Sequence, residues 1–364
     1  MHPSPAERLS EIDPRAYARS RNHLDGAVTR LSPFISRGAL STTAVFEHLR
    51  AGGWSWQDCE KLVQELAWRD FFQRVWQAKG DGIDLDVKRP QPDVRHRLLP
   101  SALPRAATGI EAIDRGIGEL VDTGYLHNHL RMYVAATACN IGGAHWREPA
   151  RWMYYHLHDG DWASNALSWQ WVAGAFSAKK YYANQENINR YTGSRQRGTF
   201  LDADYEALEA LSPPDSLTAT EPFDAATPLP ATPPPTLHAR GPVFVYSYYN
   251  LDPHWHAGED GDRVLLLEPE VFRRYPVSAS CVRWALELGR CVPGLQVMTA
   301  SFGELAALAG PRPLVFKEHP LAAHWRGRVE PRDWLVPEVD GYFPSFFAYW
   351  KRVGPRLRAG FERG

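Results

Sequence analysis

The chain has 364 residues, with 41 basic and 42 acidic side chains and a formal net charge of -1. That length is enough for one large core or two ordinary ones, and the near-balance excludes a polybasic nucleic-acid binder taken as a whole. Residues 1–200 hold about 25 basic and 21 acidic groups, which leaves about 16 and 21 for the rest; the front is mildly basic and the back mildly acidic. The four cysteines, Cys59, Cys139, Cys281 and Cys291, form no C-x-x-C pair, so buried free thiols are expected rather than a disulfide framework or a zinc site. The amino terminus has no apolar h-region and no stretch approaches 18 apolar residues, which predicts a soluble, cytoplasmic protein. Fourteen tryptophans are many, and the excess fits a redox or base-stacking protein.

In chain order, residues 1–28 are charged, with a short helix expected near Pro14 to Arg21. Val28-Thr29-Arg30-Leu31-Ser32-Pro33 opens a helical region. Ser41 to Arg50 and Trp56 to Lys79 read as amphipathic helices, the second with Leu62, Leu66, Phe72 and Val75 as its apolar repeat. Glu65, Trp68, Arg69 and Phe72 stand at i, i+3, i+4 and i+7 and so share a face. A carboxylate beside a large indole is unusual for a core stripe, because an unbonded buried carboxylate is costly. Taken alone, Trp68 still suits a core and Glu65 a solvated edge.

Gly80 to Leu103 is rich in Pro and Asp and reads as a loop. Thr108 to Thr123 resumes helix, with Ile110, Ile113, Ile117 and Leu120 on one core stripe. A helix follows over His127 to Ile141, with Asn128 and Met132 one turn apart, and another over Trp146 to His158. The stretch Asp159 to Trp171 reads D-G-D-W-A-S-N-A-L-S-W-Q-W. Asp161, Asn165 and Trp169 are spaced by four and fall on one side of a helix. They suit a site for a polar, redox-active ring, and equally an ordinary core.

Residues 211–240 carry eight prolines, Pro213 to Pro235, among Thr, Ala and Ser, and read as a semi-stiff linker. Beyond them Val243 to Tyr246, Val264 to Leu267, Leu295 to Met298 and Leu314 to Phe316 read as short buried strands. Helices are expected near Ser278 to Arg290 and Phe302 to Leu308. This alternation predicts a small parallel α/β domain, without a G-x-G-x-x-G or P-loop signature. Phe343 to Arg358 reads as a closing amphipathic helix. The expected domains are therefore 1–210, a linker 211–240, and 241–364.

Four segments carry a family resemblance: T-R-L-S-P-F at Thr29 to Phe34, E-L-A-W-R-D-F at Glu65 to Phe71, H-N-H-L-R-M at His127 to Met132, and the D-G-D stretch. Together, and in this order, they resemble the cryptochrome/photolyase family over about the first 200 residues. The resemblance implies a mainly α fold, a helical photolyase-type FAD-binding domain, followed here by the small α/β domain. It implies FAD as cofactor and damaged DNA as partner, single- or double-stranded, with the protein a monomer. The α/β antenna domain that family members usually carry ahead of this point is not expected, nor is its chromophore. The small α/β domain resembles part of it, displaced to the carboxyl side.

Site residues follow from the same resemblance. Thr29, Arg30, Leu31 and Ser32 wrap the FAD diphosphate, where a helix start would favour an anion; Val28 departs from the family's usual hydroxyl residue. Arg131 pairs with Asp159, and with Asp161 they hold the flavin's surroundings, while Asn165 faces flavin N5. Glu65, Trp68, Asn128, Met132 and Trp171 form the substrate wall. Asn128 and Met132 follow the pattern of the branch that splits cyclobutane pyrimidine dimers. His129 replaces a commonly basic, phosphate-facing residue. Trp169 and Trp146 match the inner members of an electron-transfer chain. The outer member falls in Gly80 to Leu103, where there is no tryptophan, and Trp152, Trp162 and Tyr154 are candidates to replace it. K-K-Y-Y-A-N-Q-E-N-I-N-R-Y resembles the family's iron–sulfur branch without the cysteines. The resemblance implies light-driven, electron-transfer repair of cyclobutane dimers. The alternatives are a cryptochrome-like blue-light sensor, for which His129 and the acidic tail domain speak, and an FAD enzyme of other redox chemistry.

Overall fold

The computed structural model describes residues 4–238 and 240–363; residues 1–3, 239 and 364 of the expected domains lie outside it. The described chain is mainly helical, with one five-stranded parallel sheet near its carboxyl end. No helix among the described residues is long and apolar enough to cross a membrane.

The chain divides into two compact units, and not at the Pro-rich stretch. One holds residues 1–12, 29–77 and 226–364, and the other residues 13–28 and 78–225. The expected front domain is thus split, because its helices Ser32–Ser36, Thr42–Ala51 and Trp56–Lys79 pack with the carboxyl-terminal residues. Phe34 meets Trp284 edge-on at 5.3 Å. Phe46 and Trp56 each meet Phe361 at 5.8 Å, and Phe71 lies 6.0 Å from Phe346. These partners are 250 to 315 positions apart in the chain, so no local pattern announces them.

In the second unit, helices span Pro14–Ser20, Glu111–Thr123, Asn128–Ala136, Arg147–His156, Trp162–Val172 and Gln185–Thr192. Ile110, Ile113, Ile117 and Leu120 are all buried, as their spacing predicts. Glu111–Thr123 ends at Gly124 in the left-handed region, which glycine adopts without a Cβ penalty. The helix expected over His127 to Ile141 changes character: Asn128–Ala136 is α-helical and Thr137–Ile141 is a π turn. Asn140 lies in that turn, and its amide donates to the Val172 and Tyr181 carbonyls. The expected loop Gly80 to Leu103 opens with a 3-10 turn, Gly80–Asp84. It closes with strand β1 (Leu99–Pro100), which pairs antiparallel with β2 (Thr220–Glu221).

The first unit contains the sheet: β3 (Val243–Tyr246), β4 (Asp262–Leu267), β5 (Leu295–Thr299), β6 (Leu314–Lys317) and β7 (Arg328–Glu330), in the order β5-β4-β3-β6-β7. All neighbours are parallel, the order of a doubly wound sheet. Val243 and Val245 on one face join Val264, Leu266, Leu314 and Phe316 in the core, while Phe244 and Tyr246 are buried on the other. Four strands match the sequence pattern; β7 does not, since Arg328–Glu330 is polar and largely exposed. The expected linker is an anchored strap over part of its length. Thr232 Oγ1 accepts from Thr299 N at 2.8 Å, Pro230 O accepts from Thr299 Oγ1 at 2.7 Å, and Thr236 exchanges hydrogen bonds with Gln296. Edge strand β5 is thereby covered instead of presenting open backbone groups.

Candidate functional site

The D-G-D stretch folds as its spacing predicts. Asp161 is the N-cap of Trp162–Val172, and its Oδ1 accepts from Ser164 N at 2.7 Å. Gly160 is required by close packing, because a Cβ there would meet Leu157 O at 2.9 Å and the Tyr154 ring at 3.2 Å. Asn165 and Trp169 follow on the same helix, both buried. Asn165 Nδ2 donates to Ala150 O at 2.9 Å, which fixes the rotamer of its amide. The expected Arg131–Asp159 pair is present and bifurcated: one guanidinium nitrogen lies 3.0 and 2.9 Å from the two carboxylate oxygens. Arg131 Nε also donates to Leu126 O at 2.8 Å, so the guanidinium is held from both sides.

These residues fit the group expected between them. A flavin ring and an adenine need planar polar contacts beside apolar walls, and Asn165, Asp159, Asp161 and Arg131 supply donors and acceptors from two helices and a turn. Trp169 supplies a second sign, for its Nε1 is buried without a protein partner. A buried indole N–H left in this state is costly unless a bound molecule accepts from it.

The diphosphate segment departs from expectation. The helix beginning at Ser32 has only five residues, Ser32–Ser36, too few to sum an appreciable dipole. Thr29–Leu31 precede it without regular structure, and Arg30 sits at φ 51°, uncommon for a side chain other than glycine. Any hold on phosphate there rests on the Thr29 and Ser32 hydroxyls and on backbone N–H groups, not on a helix start. Leu31 is buried and anchors the turn.

The expected substrate wall is divided between the two units. Glu65 and Trp68 lie in the first, on the half-buried face of Trp56–Lys79 beside Arg69 and Phe72. Asn128, Met132 and Trp171 lie in the second. Asn128 opens its helix exposed, Met132 is half-buried one turn on, and Trp171 is 40% exposed with Tyr181 at 5.9 Å. Trp68 has a neighbour that the sequence did not announce. Phe346, from the helix Phe346–Glu362, stacks on it at 3.8 Å with 8° between the planes, and so occupies one face of the indole. His129 is wedged between Tyr133 at 5.1 Å and Tyr191 at 4.6 Å. Burial, then His23 and Arg21, lower its pKa, so the imidazole there is a poor substitute for a permanent phosphate-facing cation.

The tryptophan chain acquires partners missed in the sequence. Trp146 Nε1 donates to Asp86 Oδ1 at 2.7 Å, and Trp162 Nε1 donates to Asp84 Oδ1 at 2.8 Å. Asp86 Oδ1 also lies 3.1 Å from His145 Nε2. Trp146 and Trp162 stand 6.4 Å apart, and Tyr154 stands 5.5 Å beyond Trp162. Trp152 faces His156 at 5.8 Å instead. The available signal was D-G-I-D-L-D at Asp81 to Asp86, a run of acids inside what read as a loop.

Residues 62–205 match the model of the FAD binding domain of DNA photolyase. A deoxyribodipyrimidine photo-lyase of Thermus thermophilus is 36% identical over 173 residues, covering 43% of this chain and 38% of its own. One from Alkalihalophilus pseudofirmus is 28% identical over 177 residues, covering 48% and 37%. A cryptochrome DASH of Natronomonas pharaonis is 30% identical over 218 residues, covering 55% and 42%. Among solved structures, a Synechocystis cryptochrome aligns with TM-score 0.45 and 24% identity, over 51% of this chain and 42% of that one. The chain spans about two fifths of the length of these curated relatives. Residues 62–205 are thus similar to the FAD binding domain of DNA photolyase, a domain whose cofactor is FAD.

Proposed function

We propose that the protein is a light-driven, FAD-dependent enzyme that splits cyclobutane pyrimidine dimers in DNA. The observation that carries this reading is the set of wall residues kept alongside the flavin residues: Glu65 and Trp68 on one helix face, Asn128 and Met132 one turn apart on another. When bound and reduced, FAD supplies a light-driven electron at a potential that no side chain reaches. The chain's own groups do the rest. Glu65, as the protonated carboxyl, donates a hydrogen bond to the dimer and stabilises the negative charge that develops on it. Trp68 offers its indole for stacking, and Asn128, Met132 and Trp171, in the other unit, each carry the wall role that the resemblance implies. The lesion is taken from a single strand or flipped from the duplex, which a poorly stacked step makes cheaper. Thr29, Arg30, Leu31 and Ser32 hold the diphosphate. Arg131, Asp159, Asp161 and Asn165 hold the ring system.

Trp169 and Trp146 relay electrons inward, with Trp162 and Tyr154 as the continuation. The Asp84 and Asp86 carboxylates favour a positive hole on the indoles they bind, because opposite charges attract strongly in a buried setting.

The test is illumination of the pure protein with a dimer-containing oligonucleotide and reductant. Dimer loss in light alone is the expected result, and Glu65→Ala should reduce it without lowering flavin content. Wild-type repair by that variant would remove Glu65 and its face from the wall. A blue-light sensor without repair is the second reading, favoured by Phe346 on Trp68; it expects no dimer loss under the same lamp.

A further inference from the structure

The helix Phe346–Glu362 lies outside the segment matched to the FAD-binding family model. Its inner face is accounted for by Phe346, Tyr349, Val353, Leu357 and Phe361, all buried. Its outer face is not. Lys351, Arg352, Arg356, Arg358 and, just past the end, Arg363 are exposed there, against one acid, Glu362. That acid binds Arg358 at 2.8 Å. No described acidic side chain pairs with Lys351, Arg352 or Arg356. At the start of the helix, on the flank of Lys351 and Arg358 and about half a turn round from Arg356, Phe347 is 65% exposed, although burying a phenyl ring is strongly favourable.

Exposed surface basic residues are often only a solvated face. Two further features set this one apart. Three cations without a described acidic partner fall between positions 351 and 356 of one helix, in a chain whose net charge is -1. The helix also begins at Phe346, the residue stacked at 3.8 Å on Trp68, so the basic track starts beside the proposed lesion wall. An extended polyanion with flat, stackable rings matches such a surface: phosphates against the cations, an unpaired base against Phe347.

We propose that this helix is a second DNA contact, in which Lys351, Arg352 and Arg356 bind the phosphodiester backbone flanking the lesion and Phe347 stacks an unpaired base. The inference rests on DNA being the substrate, and it needs no light and no lesion. It is tested by titrating fluorescent undamaged and dimer-containing oligonucleotides in the dark, across a salt series. The proteins are wild type, the triple variant Lys351→Gln/Arg352→Gln/Arg356→Gln, and Phe347→Ala. Arg273→Gln, at an exposed arginine of another helix in the same unit, is the control.

Three lost phosphate contacts should flatten the slope of log K against log salt by roughly 2 to 3. Damaged and undamaged DNA should weaken alike in the triple variant. Phe347→Ala should weaken single-stranded more than double-stranded DNA and leave the slope in place. Glutamine keeps helix propensity, so circular dichroism and Tm should match wild type. A slope equal to that of wild type in the triple variant would overturn the proposal. So would loss of binding to phosphatidylserine vesicles with oligonucleotide binding intact, which would make the helix a membrane-surface element. Failure of light-driven repair with a flattened slope would count against the catalytic reading alone.

Discussion

The groups around the expected site residues are held differently in the two units, although the sheet unit also ties Trp325 to Glu268 at 2.7 Å away from those residues. In the unit that carries the D-G-D helix, large rings are tied by short side-chain hydrogen bonds: Trp146 to Asp86, Trp162 to Asp84, and Arg131 to Asp159. In the unit that carries the sheet, rings stack on rings and on cations. Trp68 lies on Phe346, Arg37 lies 3.8 Å over Tyr248, and Arg74 lies 3.6 Å over Trp334. A redox relay needs indoles at fixed separations with nearby charge, which carboxylate anchors provide. A scaffold needs area and shape, which stacking provides. The two units are therefore expected to answer mutation differently.

The largest difference should come from the paired charge in the D-G-D unit. Arg131→Leu leaves Asp159 buried without its cation, and breaking such a pair costs about 3–5 kcal/mol. Bound flavin absorbance should fall with it. Retained flavin at wild-type Tm would show that the pair holds neither the fold nor the cofactor. Phe346→Ala in the sheet unit removes a buried ring and should cost about 3–4 kcal/mol, read as a lower urea midpoint. Flavin content should not follow it, and a flavin loss equal to that of Arg131→Leu would erase the contrast.

The pH response should separate the units next. In the sheet unit, burial raises the Asp70 carboxyl to about 6, although Leu335 N and Thr42 Oγ1 donate to it. A raised carboxyl pKa favours the folded state most below the unfolded value, near 4, and this contribution is lost as pH rises through about 6. In the D-G-D unit, burial lowers His156 to about 4. Its contribution is present above the unfolded value near 6.5 and is lost as pH falls through about 4. The two oppose each other over the same window, each by on the order of 2–3 kcal/mol. Asp70→Asn should therefore make the protein lose stability more steeply on acidification between pH 6 and 4, and His156→Gln less steeply. Chemical denaturation at each pH measures both; identical slopes in the two variants would refute the opposition.

The smallest effect on stability should come from Asp86→Asn, since an amide oxygen still accepts from Trp146. A cost of about 1 kcal/mol is expected. The informative signal is elsewhere. Without the carboxylate charge, the transient absorbance of a tryptophan radical after a laser flash should be lower or shorter-lived. An unchanged transient would take Asp86 out of the relay.

What was legible in the sequence was everything set by spacing within one element. The Asp161, Asn165, Trp169 ladder, the Ile110 to Leu120 stripe and the apolar strands β3, β4, β5 and β6 all declare themselves, because helix and strand periods are properties of the local backbone. The sequence motifs also carried the similarity to the FAD binding domain of DNA photolyase. Other features needed the third dimension. The five-residue length of Ser32–Ser36, the π turn at Thr137–Ile141 and the polar strand β7 depend on neighbours distant in the chain. So do Phe346 on Trp68, the carboxylates beneath Trp146 and Trp162, and the assignment of residues 29–77 to the sheet unit. A ring or a carboxylate has many possible partners, and only the folded chain selects one by bringing together residues whose separation in sequence carries no periodic signal.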